Sequence, residues 1–166
     1  ALDSCGQGNK LITSNSQFSS PYTEPTEGSL NNLLDGKQNT FWHSAWSMGN
    51  VQDGVQYLEI ALPEETIGDV IMHYGRRSDT DGHHLIKAKI LGVVSGSGTS
   101  ANTEVVCELD MPLKSQTETI KRAFTLPKAY SAIRLLEIRT SGDMKGVSAG
   151  FFHIGEMQIY DVQKYY

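Results

Sequence analysis

Most of the sequence after Val55 is a succession of short segments in which apolar and polar residues alternate. Such alternation is typical of a β-strand that buries one face and exposes the other. Turn residues such as Gly, Pro, Asp and Ser separate the segments. The predicted strands are 56–62, 67–74, 85–94, 104–109, 118–126, 132–140 and 152–162. Short strands at this spacing predict an all-β fold, either an antiparallel sandwich or a barrel.

The N-terminal part of the chain reads differently. Residues 1–31 are polar and rich in Ser, Asn, Thr and Gly. Within them Leu11–Ser14 is a predicted first strand, and Ser29 is a candidate N-cap for a short helix that ends at Leu34. No repeat or linker interrupts the sequence. Its 166 residues therefore predict a single domain spanning residues 1–166.

Charge and hydropathy exclude several classes of partner. A net charge of −5 argues against non-specific nucleic-acid binding, which needs clustered Lys and Arg, and against an anionic membrane surface. No apolar run reaches the roughly 20 residues of a transmembrane helix. No signal peptide is recognisable, so we expect a mature or trimmed sequence.

Motifs for catalysis are missing from the sequence. There is no Gly-x-Ser-x-Gly elbow, no phosphate-binding glycine loop and no His-Glu-x-x-His pair, so we predict that the chain is not an enzyme. His83 and His84 are adjacent and would point to opposite faces of a strand, which makes them a poor pair of metal ligands. Cys5 and Cys107 leave two readings open: a disulfide, or Cys107 as a small buried apolar residue.

The run from Asn32 to Ser44 contains the most distinctive local pattern. Asp35-Gly36 is a tight-turn signal, and Leu33-Leu34 before it and Phe41-Trp42 after it can anchor both flanks in a core. A loop anchored at both ends can hold the Asp35 carboxylate and main-chain carbonyls in fixed directions, as a hard cation such as calcium requires. The alternative is a simple turn in which Asp35 accepts hydrogen bonds from nearby amides.

This run also carries a family resemblance. Asp-Gly-x-x-x-Thr-Phe-Trp-His-Ser, at 35–44, resembles the signature loop of the discoidin (coagulation factor type C) family. Within that family it is most similar to family 32 carbohydrate-binding modules and to the galactose-binding domain of galactose oxidase. The segment 153–160 resembles the family's last strand, so the similarity spans nearly the whole chain. The resemblance implies an eight-stranded antiparallel jelly-roll β-sandwich with long loops at one end.

The resemblance also implies a structural calcium ion beneath the signature loop. Two carboxylates from opposite ends of the chain would meet there, and the cation would relieve their repulsion and tie the ends together. The implied ligands are the carbonyls of Asn32, Lys37 and Gly155, the carboxylates of Asp35 and Glu156, and Thr40.

Several loop residues have the chemistry of a sugar site, which combines an aromatic face with a few fixed polar groups. Trp46 and Phe151 are candidate platforms. The polar candidates also lie in predicted loops: Glu24 and Glu27 in the first long loop, Arg76 and Arg77 after a predicted strand, and Asp79, Asp81 and His83 in the loop that follows these arginines. For Trp46 and His43 a structural role stays open, and Trp42 is expected in the core. One of the two arginines is expected to form only a surface ion pair.

The resemblance assigns roles to some of these residues. It implies that His43 contacts the sugar, that Trp46 stacks on the ring, that Arg76 reads hydroxyls with Arg77 beside it, and that Glu27 contributes. The sequence departs from the family where Asp81-Gly82 replaces an Asn-Gly pair, and Phe151 is not diagnostic. Galactose specificity is therefore open.

The sequence as a whole predicts a non-catalytic carbohydrate-binding module. It would bind the terminal sugar of a glycan or polysaccharide, outside the cell, on its surface or in the periplasm, as one part of a larger protein. The alternative from another class is an adhesion or structural module that contacts a protein, because the fold supports both roles. An exposed Trp46 in a cleft favours the sugar, whereas a flat apolar patch favours a protein.

Overall fold

The computed structural model describes residues 7–37, 39–47, 52, 54–64, 66–78, 83–111, 119–141 and 150–162, and the statements that follow concern these residues. Their regular structure is almost entirely extended. Three short 3₁₀ helices lie at Asn15–Gln17, Leu30–Asn32 and Gly98–Ser100. The strands are β1 (Gln7–Lys10), β2 (Phe18–Ser19), β3 (Trp42–His43), β4 (Tyr57–Ala61), β5 (Gly68–Gly75), β6 (Leu85–Ser95), β7 (Asn102–Asp110), β8 (Thr119–Leu126), β9 (Ala132–Thr140), β10 (His153–Ile154) and β11 (Glu156–Val162).

The strands form two principal sheets. One has four strands in the order β1-β11-β5-β8, and the other has five in the order β2-β4-β9-β6-β7. A short pair, β10-β3, lies between distant parts of the chain, and the strand pairs are antiparallel. The predicted all-β antiparallel sandwich is thus confirmed. No described helix is long and apolar enough to cross a membrane.

The predicted first strand at Leu11–Ser14 is wrong. The strand, β1, comes earlier, at Gln7–Lys10, and pairs with β11. Beyond it the side chain of Gln158 replaces the ladder, because its amide accepts from the Ile12 N–H at 3.1 Å and donates to the Ile12 carbonyl at 3.0 Å. Leu11 and Ile12 are buried, so their apolar character signalled the core and not a strand.

Two other boundaries are informative. Ser29 does cap a short helix, since its hydroxyl accepts from the Asn31 N–H, but the helix ends at Asn32 and not at Leu34. The predicted strand 152–162 is divided into β10 and β11 at Gly155. A Cβ at Gly155 would lie 2.9 Å from the Arg76 carbonyl oxygen, so the two chain segments approach more closely there than any side chain would allow.

The core lies between the two principal sheets, and Trp42 is among its largest members. Trp42 has no exposed surface, as predicted, and its ring packs edge-on against Phe152 with 5.3 Å between centroids. Its indole N–H donates to the Thr23 hydroxyl at 3.1 Å. The aromatic pair therefore connects the first loop, β3 and the segment before β10, and a buried polar atom is satisfied in the process.

We expect Trp42→Ala to destabilise the fold by about 3–5 kcal/mol, because it removes a large buried side chain and leaves a cavity. Val105→Ala, on the edge strand β7 with 60% of the residue exposed, is the control and should cost less than about 1 kcal/mol. Urea unfolding of both variants measures the difference. Equal losses would contradict the assignment of Trp42 to the core.

Candidate functional site

Residues on either side of β3 and β10 are brought together by pairing between distant parts of the chain. His153 pairs with His43, and Ile154 pairs with Trp42. The pairing continues at Ser44, whose N–H donates to the Phe152 carbonyl at 2.8 Å and whose hydroxyl accepts from the Phe152 N–H at 2.8 Å. The residues that follow β3 and those directly before β10 therefore lie side by side at one end of the sandwich.

Trp46 lies in the loop after β3, and 43% of the residue is exposed. Its indole N–H donates to a carboxylate oxygen of Glu27 at 3.1 Å. An exposed indole whose polar edge is already bonded presents its apolar face to solvent in a defined orientation. The structure thus places the predicted residues Trp46 and Glu27 in direct contact.

Glu24 is the buried acid of this region, with 3% of the residue exposed. It accepts the N–H groups of Trp46 (3.0 Å) and Ser47 (2.9 Å) and the hydroxyls of Ser47 (2.6 Å) and Thr26 (3.0 Å). Burial alone would raise the pKa of Glu24, but the hydrogen bonds from Ser47, Thr26 and Trp46 outweigh it and lower the pKa to about 2. Sequence spacing selected Glu27 and left Glu24 without a role.

We call the end of the sandwich that carries Trp46 and Glu27 the rim. His43 lies beneath the rim, with 5% of the residue exposed. Its Nδ1 lies 2.7 Å from the Ser44 carbonyl oxygen, which can only accept, so Nδ1 carries a proton. Burial lowers the pKa of His43, and the hydrogen bond to Ser44 partly offsets this. The resulting neutral ring keeps Nε2 as an acceptor, which suits a hydroxyl donor.

The ring of Phe151 lies between the rings of His43 and His83 in this series of contacts. Phe151 is half-buried and lies over His83 with 4.2 Å between ring centroids, and over His43 with 5.9 Å. His83 has a φ of 58°, in the left-handed region. His83 was noted in the sequence as a loop residue without a role. Asp81, predicted from its place in the same loop, lies outside the described residues.

The two arginines that follow β5 have different environments. Arg76 has no exposed surface, and one of its terminal nitrogens donates to the Leu85 carbonyl at 3.4 Å. Arg77 is half-exposed, and its guanidinium lies 3.5 Å from the centre of the Phe41 ring. As placed, Arg76 presents no surface to a ligand, which departs from the predicted sugar contact. Arg77 is the arginine at the rim, because neighbouring residues of an extended segment point to opposite sides.

The carboxylates of Asp35 and Glu156 meet, as predicted. The Lys37 N–H donates to both, at 2.9 Å to Asp35 and 3.0 Å to Glu156, and the Thr40 hydroxyl donates to the other Asp35 oxygen. Burial, a hydrogen bond with Asp35 and the charge of Asp35 raise the pKa of Glu156 to about 7. Burial would also raise the pKa of Asp35, but hydrogen bonds from Glu156, Thr40 and the Lys37 N–H lower it. The contact between the two groups therefore favours the protonated form of Glu156 over a second negative charge beside Asp35.

The donor set at this loop fits a hard cation. Every predicted ligand atom is an oxygen, from a carboxylate, a hydroxyl or a main-chain carbonyl, which is the chemistry that calcium prefers. Among the described residues, no three His, Cys, Asp or Glu side chains are grouped so that they could hold a metal by themselves. A cation at this loop would therefore depend on the hydroxyl and carbonyl oxygens as well as on the carboxylate pair.

Comparison with solved structures identifies the architecture. The family 32 carbohydrate-binding module of NanJ from Clostridium perfringens, in complex with galactose, superposes with a TM-score of 0.65 over 92% of this chain and 100% of that chain, at 19% identity. An F5/8 type C domain from Bacteroides fragilis superposes with a TM-score of 0.61 over 95% of this chain and 99% of that one, at 15% identity. The fold is that of a discoidin-type domain.

Two further neighbours show where such a fold occurs. Another family 32 module from Clostridium perfringens, in complex with GalNAc-β-1,3-galactose, matches with a TM-score of 0.65 over 92% of this chain and 99% of its own, at 16% identity. ZmpB from the same organism carries two such modules and an M60 catalytic domain. There the match covers 92% of this chain and 14% of that one, with a TM-score of 0.64 and 13% identity. No family model matches the sequence, and no curated protein matches it significantly.

We expect Glu24→Gln to flatten the acid dependence of stability. Because the folded pKa of Glu24 is about 2 and its ordinary value is 4.5, the carboxylate stabilises the fold fully above pH 4.5 and progressively less as the pH falls towards 2. The variant should be less stable than the parent at pH 7, by about 1 kcal/mol for the lost charge-assisted bonds, and similar to it near pH 2. Urea unfolding from pH 7 to 2 measures this, and parallel curves would contradict it.

Proposed function

We propose that the chain is a non-catalytic carbohydrate-binding module that recognises the terminal sugar of a glycan, galactose or a related sugar. The observation that carries the proposal is the exposed indole of Trp46, held by Glu27 at a rim that also contains the His43 region. Sugars bind to proteins through an aromatic face under their C–H surface and a few oriented polar groups that read their hydroxyls. The rim supplies both.

The polar groups around Trp46 have complementary roles in this proposal. The Glu27 carboxylate and the neutral ring of His43 accept hydrogen bonds from sugar hydroxyls, and the guanidinium of Arg77 donates to sugar oxygens. Phe151, whose ring contacts those of His83 and His43, supplies a second aromatic surface in this proposal. Two structural neighbours were solved with galactose and with GalNAc-β-1,3-galactose, which supports a galactose-type sugar for this chain.

An adhesion or structural module remains the rival function, and the surroundings of Trp46 argue against it. A protein interface is centred on a contiguous apolar patch. Here the exposed indole is bonded to the Glu27 carboxylate and is followed by the exposed Ser47, so polar groups flank it on the residues that the structure describes. Since ZmpB carries comparable modules beside a catalytic domain, we propose that this chain likewise belongs to a larger protein that acts outside the cytoplasm.

We further propose a structural calcium ion at the signature loop, held by Asp35 and Glu156 together with Thr40 and the carbonyls of Asn32, Lys37 and Gly155. The proposal is supported by the position of the two carboxylates, which accept the same Lys37 N–H. A divalent cation between them would neutralise both groups. Because the ligands come from both ends of the chain, the ion would stabilise the folded state and not the unfolded one.

We expect Trp46→Ala to weaken binding to galactose-terminated glycans at least tenfold, because loss of the stacking surface costs about 1.5–3 kcal/mol. A glycan array followed by calorimetry with the strongest ligand measures the loss. Ile67→Ala is the matched control: 61% of Ile67 is exposed, and it precedes the end of β5 that is distant from the rim. Unchanged binding by Trp46→Ala would show that the site lies elsewhere.

Calcium should raise the melting temperature of the parent protein by about 5–10 °C at 100 times the dissociation constant, which corresponds to about 2.7 kcal/mol. Asp35→Ala should remove that increase and so lose more stability in calcium than in chelator. Asp69→Ala is the control, since Asp69 is an exposed acid bonded to Thr125 and should behave alike in both conditions. Equal losses for Asp35→Ala in calcium and chelator would remove the case for the ion.

A further inference from the structure

Glu24 joins the two loops that form the proposed sugar site. One carboxylate oxygen accepts the consecutive N–H groups of Trp46 (3.0 Å) and Ser47 (2.9 Å). The other accepts the hydroxyls of Ser47 (2.6 Å) and Thr26 (3.0 Å). The donors thus come from the loop that carries the exposed indole and from the residue directly before Glu27.

Because Glu24 is buried, its carboxylate depends on these hydrogen bonds in place of water. Glu24 has 3% of its surface exposed, and a buried carboxylate is costly unless hydrogen bonds replace its hydration. The donors among the described residues, Trp46, Ser47 and Thr26, all belong to the two site loops. A shift of either loop would leave buried charge without its partners, so the carboxylate resists any movement of one loop relative to the other.

We infer that Glu24 is the positioning residue of the sugar site: it holds the Trp46 loop against the Glu27 loop, so that the indole N–H meets the Glu27 carboxylate before any ligand arrives. The inference rests on the proposed function and deepens it. Glu24 itself has almost no exposed surface with which to contact a sugar. Its effect on affinity comes from preorganisation, because a loop that is already ordered does not lose conformational entropy on binding.

The pattern of donors predicts which substitution preserves the arrangement. A Gln at this position can keep its carbonyl oxygen towards the N–H groups of Trp46 and Ser47. Its amide group can then donate to the hydroxyl oxygens of Ser47 and Thr26, because a hydroxyl both donates and accepts. An Ala offers none of these bonds. Glu24→Gln should therefore retain the loop geometry that Glu24→Ala loses.

The test combines affinity with a signal from Trp46 itself. Binding of a galactose-terminated glycan is measured by calorimetry at 20 °C for the parent, Glu24→Ala and Glu24→Gln, with Glu108→Ala on β7 as the control acid. Acrylamide quenching of tryptophan fluorescence is measured on the same proteins. The chain has two tryptophans and Trp42 is fully buried, so Trp46→Phe counterparts isolate the Trp46 contribution.

We expect Glu24→Ala to bind about tenfold more weakly and its Trp46 to be quenched more strongly, with an unchanged far-UV spectrum. Glu24→Gln should recover most of the affinity and the parental quenching. A merely structural role would lower the melting temperature and leave the affinity and quenching of the folded protein unchanged. That result for Glu24→Ala would overturn the inference.

If Glu24→Ala does not fold, Thr26→Ala combined with Ser47→Ala removes the hydroxyl donors and leaves the carboxylate. Increased quenching of Trp46 in that variant supports the inference, and parental quenching overturns it. If the parent binds no glycan, the proposed function fails, but the quenching comparison still decides whether Glu24 positions Trp46.

Discussion

The pairing of β3 with β10 is the interaction on which the rest of the structure depends. It joins Trp42-His43 to His153-Ile154 across more than a hundred residues of sequence. The Trp42–Phe152 contact buries the apolar part of this junction. Two hydrogen bonds between Ser44 and Phe152, one between main-chain groups and one to the Ser44 hydroxyl, satisfy its polar part. Both requirements of a buried junction, packing and hydrogen bonding, are therefore met by the same few residues.

Both candidate sites are consequences of this junction. On one side the Met157 N–H donates to the Leu33 carbonyl at 3.1 Å, which brings β11 beneath the loop that carries Asp35. The start of β11 places the Glu156 carboxylate next to Asp35. On the other side, the loops that leave β3 and enter β10 carry Trp46 and Phe151 to the same end of the sandwich. A proposed ion and a proposed sugar thus depend on one connection between the ends of the chain.

Local sequence pattern predicted those parts of the fold that local physics decides. Alternation located β9 (Ala132–Thr140) without error, and Ser29 signalled a helix start through its own hydroxyl. Local pattern gave a wrong prediction where a distant side chain took the hydrogen bonds that a strand pairing would have made. Leu11 and Ile12 read as a strand, but the Gln158 amide, far along the chain, takes the hydrogen bonds of Ile12.

In the candidate site too, sequence predicted some residues correctly and missed those whose role depends on distant parts of the chain. Resemblance placed Trp46 and Glu27 near each other, and it predicted that Asp35 would meet Glu156. It assigned the sugar contact to Arg76, whereas Arg76 is buried with its guanidinium at the Leu85 carbonyl and Arg77 is the half-exposed neighbour. Glu24 was noted in the first loop but given no role, because its importance comes from burial and from donors in another loop, neither of which the sequence displays.

The central claim is that a sugar binds on the exposed indole of Trp46 while the indole of Trp42 stays in the core. A ¹H–¹⁵N NMR titration with galactose tests it directly, since the two tryptophans give two indole N–H signals that a Trp46→Phe variant assigns. We predict that the Trp46 signal shifts in a saturable way and that the Trp42 signal does not move. A Trp46 signal that stays fixed while signals elsewhere in the protein saturate would contradict the account.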